Sequence, residues 1–223
     1  NYLMTDFIKF VENFSLKSRH HNKLVNFLLP ELKKITNANI LEFGVSEKAM
    51  STELFIKYSE LHKCKIFSID NIDYKSKFND QTWEFILSRD DNFNLLESKL
   101  PKKFDLILLD TIHEAKHVEK IFYFYYEFLD VNCSFFIDDT SWIPYAKGSE
   151  KDRFYGEINN QETFETLLQI YYGNRDNFEI DFTFQGTGMC KILKKKNNKL
   201  NKKIKIISRK SSFKNIIRKF LKN

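Results

Sequence analysis

Apolar positions along this chain keep two different rhythms. Over residues 3–34 they return every three or four places: Phe7, Phe10, Val11 and Phe14 form one stripe, and Leu24, Phe27, Leu28 and Leu32 another. That spacing predicts helices with one buried face. After Thr36-Asn37 the rhythm gives way to short, nearly continuous apolar runs. These are Asn39-Ile40-Leu41-Glu42-Phe43-Gly44, Cys64-Lys65-Ile66-Phe67-Ser68-Ile69-Asp70, residues 83–87, Phe104-Asp105-Leu106-Ile107-Leu108-Leu109-Asp110 and Ser134-Phe135-Phe136-Ile137-Asp138-Asp139. Runs of that kind read as strands buried on both faces. Helical patterns separate or follow them over 51–62, 113–129 and 162–172. Two last runs, 178–185 and 189–193, flank Gly186-Thr187-Gly188 and predict an antiparallel hairpin.

Strands alternating with helices predict an α/β fold: a doubly wound, Rossmann-like, mostly parallel seven-stranded sheet ending in an antiparallel hairpin. The chain divides into a helical segment over 1–36, the sheet domain over 37–194 and a tail over 195–223. Composition agrees with one folded domain. Among 223 residues, 23 Phe and 10 Tyr supply a core, and 6 Gly and 3 Pro exclude low-complexity readings. No run of 18 apolar residues is present, and no basic stretch leads into an apolar one near Asn1. Cys64, Cys133 and Cys190 are scattered and odd in number. The expectation is a soluble cytoplasmic protein with reduced thiols.

The net charge of +6 conceals two opposite parts. From Lys191 onward there are 14 Lys or Arg and no acid, which leaves 22 bases against all 30 acids in residues 1–190. Within the tail, Phe213, Ile216, Ile217, Phe220 and Leu221 share one helical face, with Lys214, Arg218, Lys219 and Lys222 around it. Such a helix suits an anionic membrane surface or a protein partner, or packs on its own domain. With no aromatic interleaving and no RNA-binding motif, a nucleic-acid partner is not expected.

The candidate chemistry lies at the strand ends. In open α/β sheets, ligands bind beyond the carboxyl ends of the strands. Here those ends carry Glu42, Asp70, Asp90 and Asp91, Asp110, and Asp138 with Asp139. One acid there caps a turn; a whole row on one rim repels itself unless a cation or a donor-rich ligand sits among its members. The row falls into two groups. Glu42, Gly44, Asp70 and Asp91 suit a nucleotide, with an acid after the second strand placed to accept ribose hydroxyls. Asp110, Asp138 and Asp139 are hard oxygen donors suited to Mg²⁺ or another divalent cation.

These residues resemble a family. Residues 36–194 are similar to the class I S-adenosylmethionine-dependent methyltransferases, through Ile40-Leu41-Glu42-Phe43-Gly44-Val45, Ser51-Thr52, Asp70 and the strand ending at Asp110. Within that class the chain is similar to small-molecule O-methyltransferases acting on sugars and natural products, and to relatives labelled cephalosporin hydroxylase. Asp110-Thr111-Ile112-His113, His117-Val118 and Phe136-Ile137-Asp138-Asp139-Thr140 match their pattern. The loop after Gly44, Ser46-Glu47-Lys48-Ala49-Met50, departs from the family in having no glycine, and Ile112 stands where a second acid is common.

The resemblance implies that S-adenosylmethionine is held by Glu42 (methionine amino group), Gly44, Ser51, Asp70 (ribose) and Asp91 (adenine amino group, with Asp90 as competitor). It also implies a divalent metal on Asp110, Asp138 and Asp139, and His113, with Asp110, acting on the acceptor's proton. Trp142 and Tyr145, just after the fifth strand, would form a wall for a small-molecule or glycan acceptor. Two rival readings use the same residues: a non-catalytic nucleotide-binding scaffold, and a hydroxylase-like, sugar-modifying enzyme.

Overall fold

The computed structural model describes residues 2–141, 154–207, 209 and 212–221. Helix α1 (Tyr2–Leu16) and helix α2 (Arg19–Lys23) lead through a π turn (Leu24–Leu28) into α3 (Leu29–Leu32). Then follow β1 (Asn39–Phe43), α4 (Met50–His62), β2 (Lys65–Asp70), β3 (Trp83–Leu87), α5 (Phe93–Lys99), β4 (Phe104–Leu109) and α6 (Ala115–Tyr125). A 3-10 turn (Tyr126–Phe128) enters β5 (Leu129–Asp138), and α7 (Phe154–Gly173), β6 (Phe178–Thr183), β7 (Met189–Lys194) and α8 (Phe213–Leu221) complete the order.

The seven strands form one sheet in the order β3-β2-β1-β4-β5-β7-β6. Strands β1 to β5 run parallel, and β7 is antiparallel to both β5 and β6. The expected architecture is therefore present. Neighbouring residues on a strand point to opposite faces, and this chain buries both. Ile40, Ile66, Leu106, Leu108 and Phe136 face a core shared with Phe14, Leu28, Leu32, Leu54 and Phe55 from α1, the π turn, α3 and α4. Leu41, Phe67, Ile107, Leu109, Phe135 and Ile137 face the other core, with Ile121 and Phe122 of α6 and Leu167 and Ile170 of α7.

Two boundaries differ from the sequence expectation. The helix expected over 113–129 stops at Tyr125, and β5 begins at Leu129. Lys194 Nζ donates to the carbonyls of Tyr126 and Leu129 at 2.9 and 2.7 Å, and Tyr126 donates its hydroxyl to Asn177 O at 2.9 Å. Those partners satisfy backbone that a helix would have paired internally. Contacts with the body also continue past Lys194. Asn201 N donates to Asn174 Oδ1 at 2.7 Å, Ile204 N to Gln169 O at 3.2 Å and Lys203 Nζ to Glu119 Oε2 at 2.5 Å. Leu200 packs on the α6–α7 core. Residues up to Ile204 are thus fastened to the domain, whereas the apolar residues of α8 remain exposed.

Candidate functional site

The turn between β1 and α4 places the backbone at the centre of the rim. Gly44 has a φ of +94°, and a Cβ there would lie 1.9 Å from the Asp110 carbonyl oxygen. Only glycine allows that approach. Its N–H donates to Ile69 O, and Asp110 N donates to Phe43 O, both at 2.8 Å, so the turn is locked to β2 and β4. The glycine-free continuation still bends through left-handed backbone at Ser46 (φ 59°) and Ala49 (φ 44°), at a cost of roughly 1–2 kcal/mol each. Asp70 offsets that cost: its Oδ2 accepts from Val45 N at 2.9 Å and Ser46 N at 3.3 Å, and its Oδ1 accepts from Ile72 N at 3.0 Å.

Glu42 lies beneath this turn, fully buried. Ser51 Oγ donates to its Oε1 at 2.5 Å, and Thr52 Oγ1 and Ser68 Oγ donate to its Oε2 at 2.8 and 2.5 Å. Burial pushes its carboxyl above the ordinary range, and the three hydroxyls oppose the shift without cancelling it. Trp83 Nε1 extends the network to Ser68 Oγ at 2.9 Å. Glu42 and Ser51, both expected to touch cofactor, are thus bonded to each other inside the domain. Ser51 reaches the edge of a small cleft of about 20 Å³ shared with His20, Lys23, Met50, Asp110 and Asp138.

A cavity of about 290 Å³ opens above Gly44, with Asp70, Tyr74, Asp90, Asp110 and Thr111 in its wall. Its volume sits near the lower end of the roughly 300–1,000 Å³ typical of small-molecule pockets. Here the structure corrects the expectation for Asp91. That residue turns outward to Arg89 Nε at 2.9 Å and Lys120 Nζ at 3.3 Å, and the Arg89 hydrogen bond holds its carboxyl at about 2. Its neighbour Asp90 takes the wall position, buried, with Thr111 Oγ1 at 2.5 Å and His117 Nε2 at 2.8 Å on its Oδ2.

Beyond the cavity stands the acid rim. His113 Nε2 lies 3.5 Å from Asp110 Oδ1 and 3.5 Å from Asp139 Oδ2. Asp139 reaches this point because its backbone is left-handed, with a φ of 55°. Burial, then the charges of Asp138 and Asp139, raise the Asp110 carboxyl well above its usual range. About a third of its side chain, 36%, still meets solvent. Asp138 departs from the group: the buried ammonium of Lys23 bonds to its Oδ1. His113 and His117, one turn apart, diverge to different acids. Trp142 and Tyr145 lie outside the described residues.

No family model and no curated protein matches the sequence. Solved structures do resemble the fold. MycE, a methyltransferase of the mycinamycin biosynthetic pathway seen with Mg, SAH and Mycinamycin VI, aligns with a TM-score of 0.60 at 18% identity, over 78% of this chain and 50% of its own. The SAH-bound methyltransferase PaMTH1 of Podospora anserina gives 0.60 at 14% identity, over 85% of this chain and 88% of that one. The N-methyltransferase NodS of Bradyrhizobium japonicum gives 0.52 at 14%, over 81% and 99%. This chain shares the fold of these proteins. It spans half the length of MycE, and at these identities the likeness carries the fold alone.

Within this fold, the expected residues separate into those brought together and those not. Gly44, Asp70 and Asp110 meet at the cavity. Asp110, Asp139 and His113 meet at the rim. The donor set expected for a divalent ion does not fit one. Asp138 is engaged by Lys23, and no group of three His, Cys, Asp or Glu among the described residues, the Asp110, Asp139 and His113 trio included, is arranged to hold a metal ion. Sequence reasoning passed over Lys23 and underweighted Asp90 and His117. Lys23 did leave a signal: it stands four places before Phe27, on the apolar stripe, where a solvated lysine does not belong.

Proposed function

We propose that this chain transfers the methyl group of S-adenosylmethionine to a hydroxyl oxygen of a small-molecule or glycan acceptor. The observation that carries the reading is the cavity over Gly44, walled by Asp70 and Asp90 and continuous through Asp110 with the His113 rim. The residues suit the cofactor. Gly44 presents bare backbone to the cavity, since a Cβ there would meet the Asp110 carbonyl, and Asp70 keeps acceptor capacity. A carboxylate has about four lone-pair sites; Asp70 uses two on Oδ2 and one on Oδ1, leaving one on Oδ1 for a ribose hydroxyl. Asp90, in the cavity wall, is fixed through its Oδ2 by Thr111 and His117, which leaves its Oδ1 for the base.

Bound there, the cofactor supplies an electrophilic methyl group, so this chain need only align an oxygen with it and remove a proton. His113 is placed for the proton. Its Nε2 faces Asp110 and Asp139, which orient the ring. An acceptor hydroxyl beside Nε2 also lies beside Asp110, which joins the rim to the cavity. Support for a small-molecule acceptor comes from the family resemblance and from MycE, whose structure holds Mycinamycin VI; NodS is named an N-methyltransferase, so the His113 base is what favours oxygen here.

The test uses methyl-labelled S-adenosylmethionine and a panel of glycosides, phenols and amines. We expect label on a hydroxyl acceptor and a fall of about 100-fold or more in His113→Ala. Transfer only to amines, or unchanged transfer in His113→Ala, would contradict the assignment.

A further inference from the structure

The rim that should repel itself already holds a cation of its own. We infer that Lys23 occupies, as a resident ammonium, the place a divalent ion would take among these acids, and that the site works without metal. Lys23 ends α2 and is 1% exposed. An ammonium has three N–H donors, and each has an acceptor here: Asp138 Oδ1, Thr187 Oγ1 at 3.1 Å and Gly188 O at 3.1 Å. Two of those acceptors belong to the Gly186-Thr187-Gly188 turn, which the methyl-transfer reading leaves without a role. Gly188 has a φ of +82°, and a Cβ there would lie 2.5 Å from Ser141 Cβ. The hairpin can therefore sit close behind Asp138 only with glycine at that position.

The charges complete the argument. Asp110, Asp138 and Asp139 act on one another, and Lys23 is the cation that offsets their effect on Asp110. A divalent ion approaching Asp138 would meet the buried ammonium already bonded to its Oδ1, and the two cations would repel each other there. With its donors used, Lys23 holds Asp138 away from His113 and leaves Asp110 and Asp139 to orient that ring. It is a positioning residue, and its role does not depend on which acceptor is methylated.

Calorimetric titration of the full chain with Mn²⁺, after treatment with chelator, tests this directly. The wild type should show no Asp138-dependent binding tighter than about 1 mM. Lys23→Met should melt on the order of 10 °C lower, because Asp138 loses its buried partner, and should gain Mn²⁺ binding that recovers part of the loss. Simple loss of a structural contact would produce no such gain. Wild-type Mn²⁺ binding abolished by Asp138→Asn would overturn the inference, as would a folded Lys23→Met that takes up no Mn²⁺. If Lys23→Met does not fold, the wild type and Asp138→Asn decide alone.

A separate observation carries a second inference, at the far end of the chain. Helix α8 has nine residues, too few to be stable alone in water, yet Phe213, Phe220 and Leu221 are 76, 79 and 82% exposed and Ile216 and Ile217 also face solvent. Residues 205–223 hold seven Lys or Arg and no acid, against a surplus of acids in residues 1–190. The geometry points to an anionic lipid surface as the occupant: the apolar face enters the headgroup boundary and the flanking bases meet lipid phosphates. The acidic body, repelled by such a surface, would hang from the tail.

Cosedimentation with vesicles reads this. The full chain should bind phosphatidylcholine vesicles containing phosphatidylserine and ignore pure phosphatidylcholine. The double substitution Phe213→Glu and Phe220→Glu should weaken binding about tenfold or more. Indifference to both vesicle types, binding that survives the substitutions, or retention on RNA in place of vesicles would overturn it.

Discussion

At Gly44 the chain passes so near the Asp110 carbonyl that one added carbon would lie 1.9 Å from it, and the same residue forms the floor of the cavity. We expect Gly44→Ala to destabilise the fold by roughly 2–4 kcal/mol, from the positive φ and the clash together, and to abolish cofactor binding. A melting curve equal to the wild type would contradict that. Gly44 and Asp70 were legible because each ends an apolar run. Glu42 was legible as an acid but not as a buried one. On a strand covered on both faces no alternation tells which way a side chain points, and its hydroxyl partners come from two other elements, α4 and β2. The choice between Asp90 and Asp91 had the same difficulty: adjacent residues after β3 point to opposite sides, and only the positions of His117 and Lys120 on α6 decide it.

Among the elements, the strands were the best predicted and the α6–β5 junction the worst. The run from Phe122 to Tyr126 is aromatic throughout, and such a run is neither helical nor extended by its pattern. Lys194, on β7, settles it by capping the carbonyls of Tyr126 and Leu129. Burial lowers its ammonium to about 8, against the ordinary 10.5. Between those values the folded chain binds fewer protons than the unfolded chain, so this residue's contribution to stability increases as pH rises through the window. Lys194→Met should remove that increment, and melting followed from about pH 7.5 to 10 should show a shallower profile than the wild type. Parallel profiles would place the amine in water instead.

For the whole molecule, charge alone put the boundary of the tail at residue 195, because the sequence loses its acids near there. Packing puts it later. Leu200, Asn201 and Ile204 are bonded or packed to α6 and α7, contacts that polar and basic composition does not advertise. Deleting 208–223 should leave the melting temperature within about 2 °C of the full chain, whereas deleting 198–223 should lower it by roughly 5–10 °C. Equal effects of the two deletions would contradict this division.

All of these scales converge on one claim, that the cavity over Gly44 receives S-adenosylmethionine and that Asp70 holds its ribose. Calorimetric titration of the full chain with S-adenosylhomocysteine, beside Asp70→Ala, measures it most directly. The account predicts one site per chain in the wild type and a loss of about 10- to 100-fold in affinity in Asp70→Ala, with the circular dichroism of the fold retained. No binding to the wild type, or equal affinity in the two proteins, would contradict it.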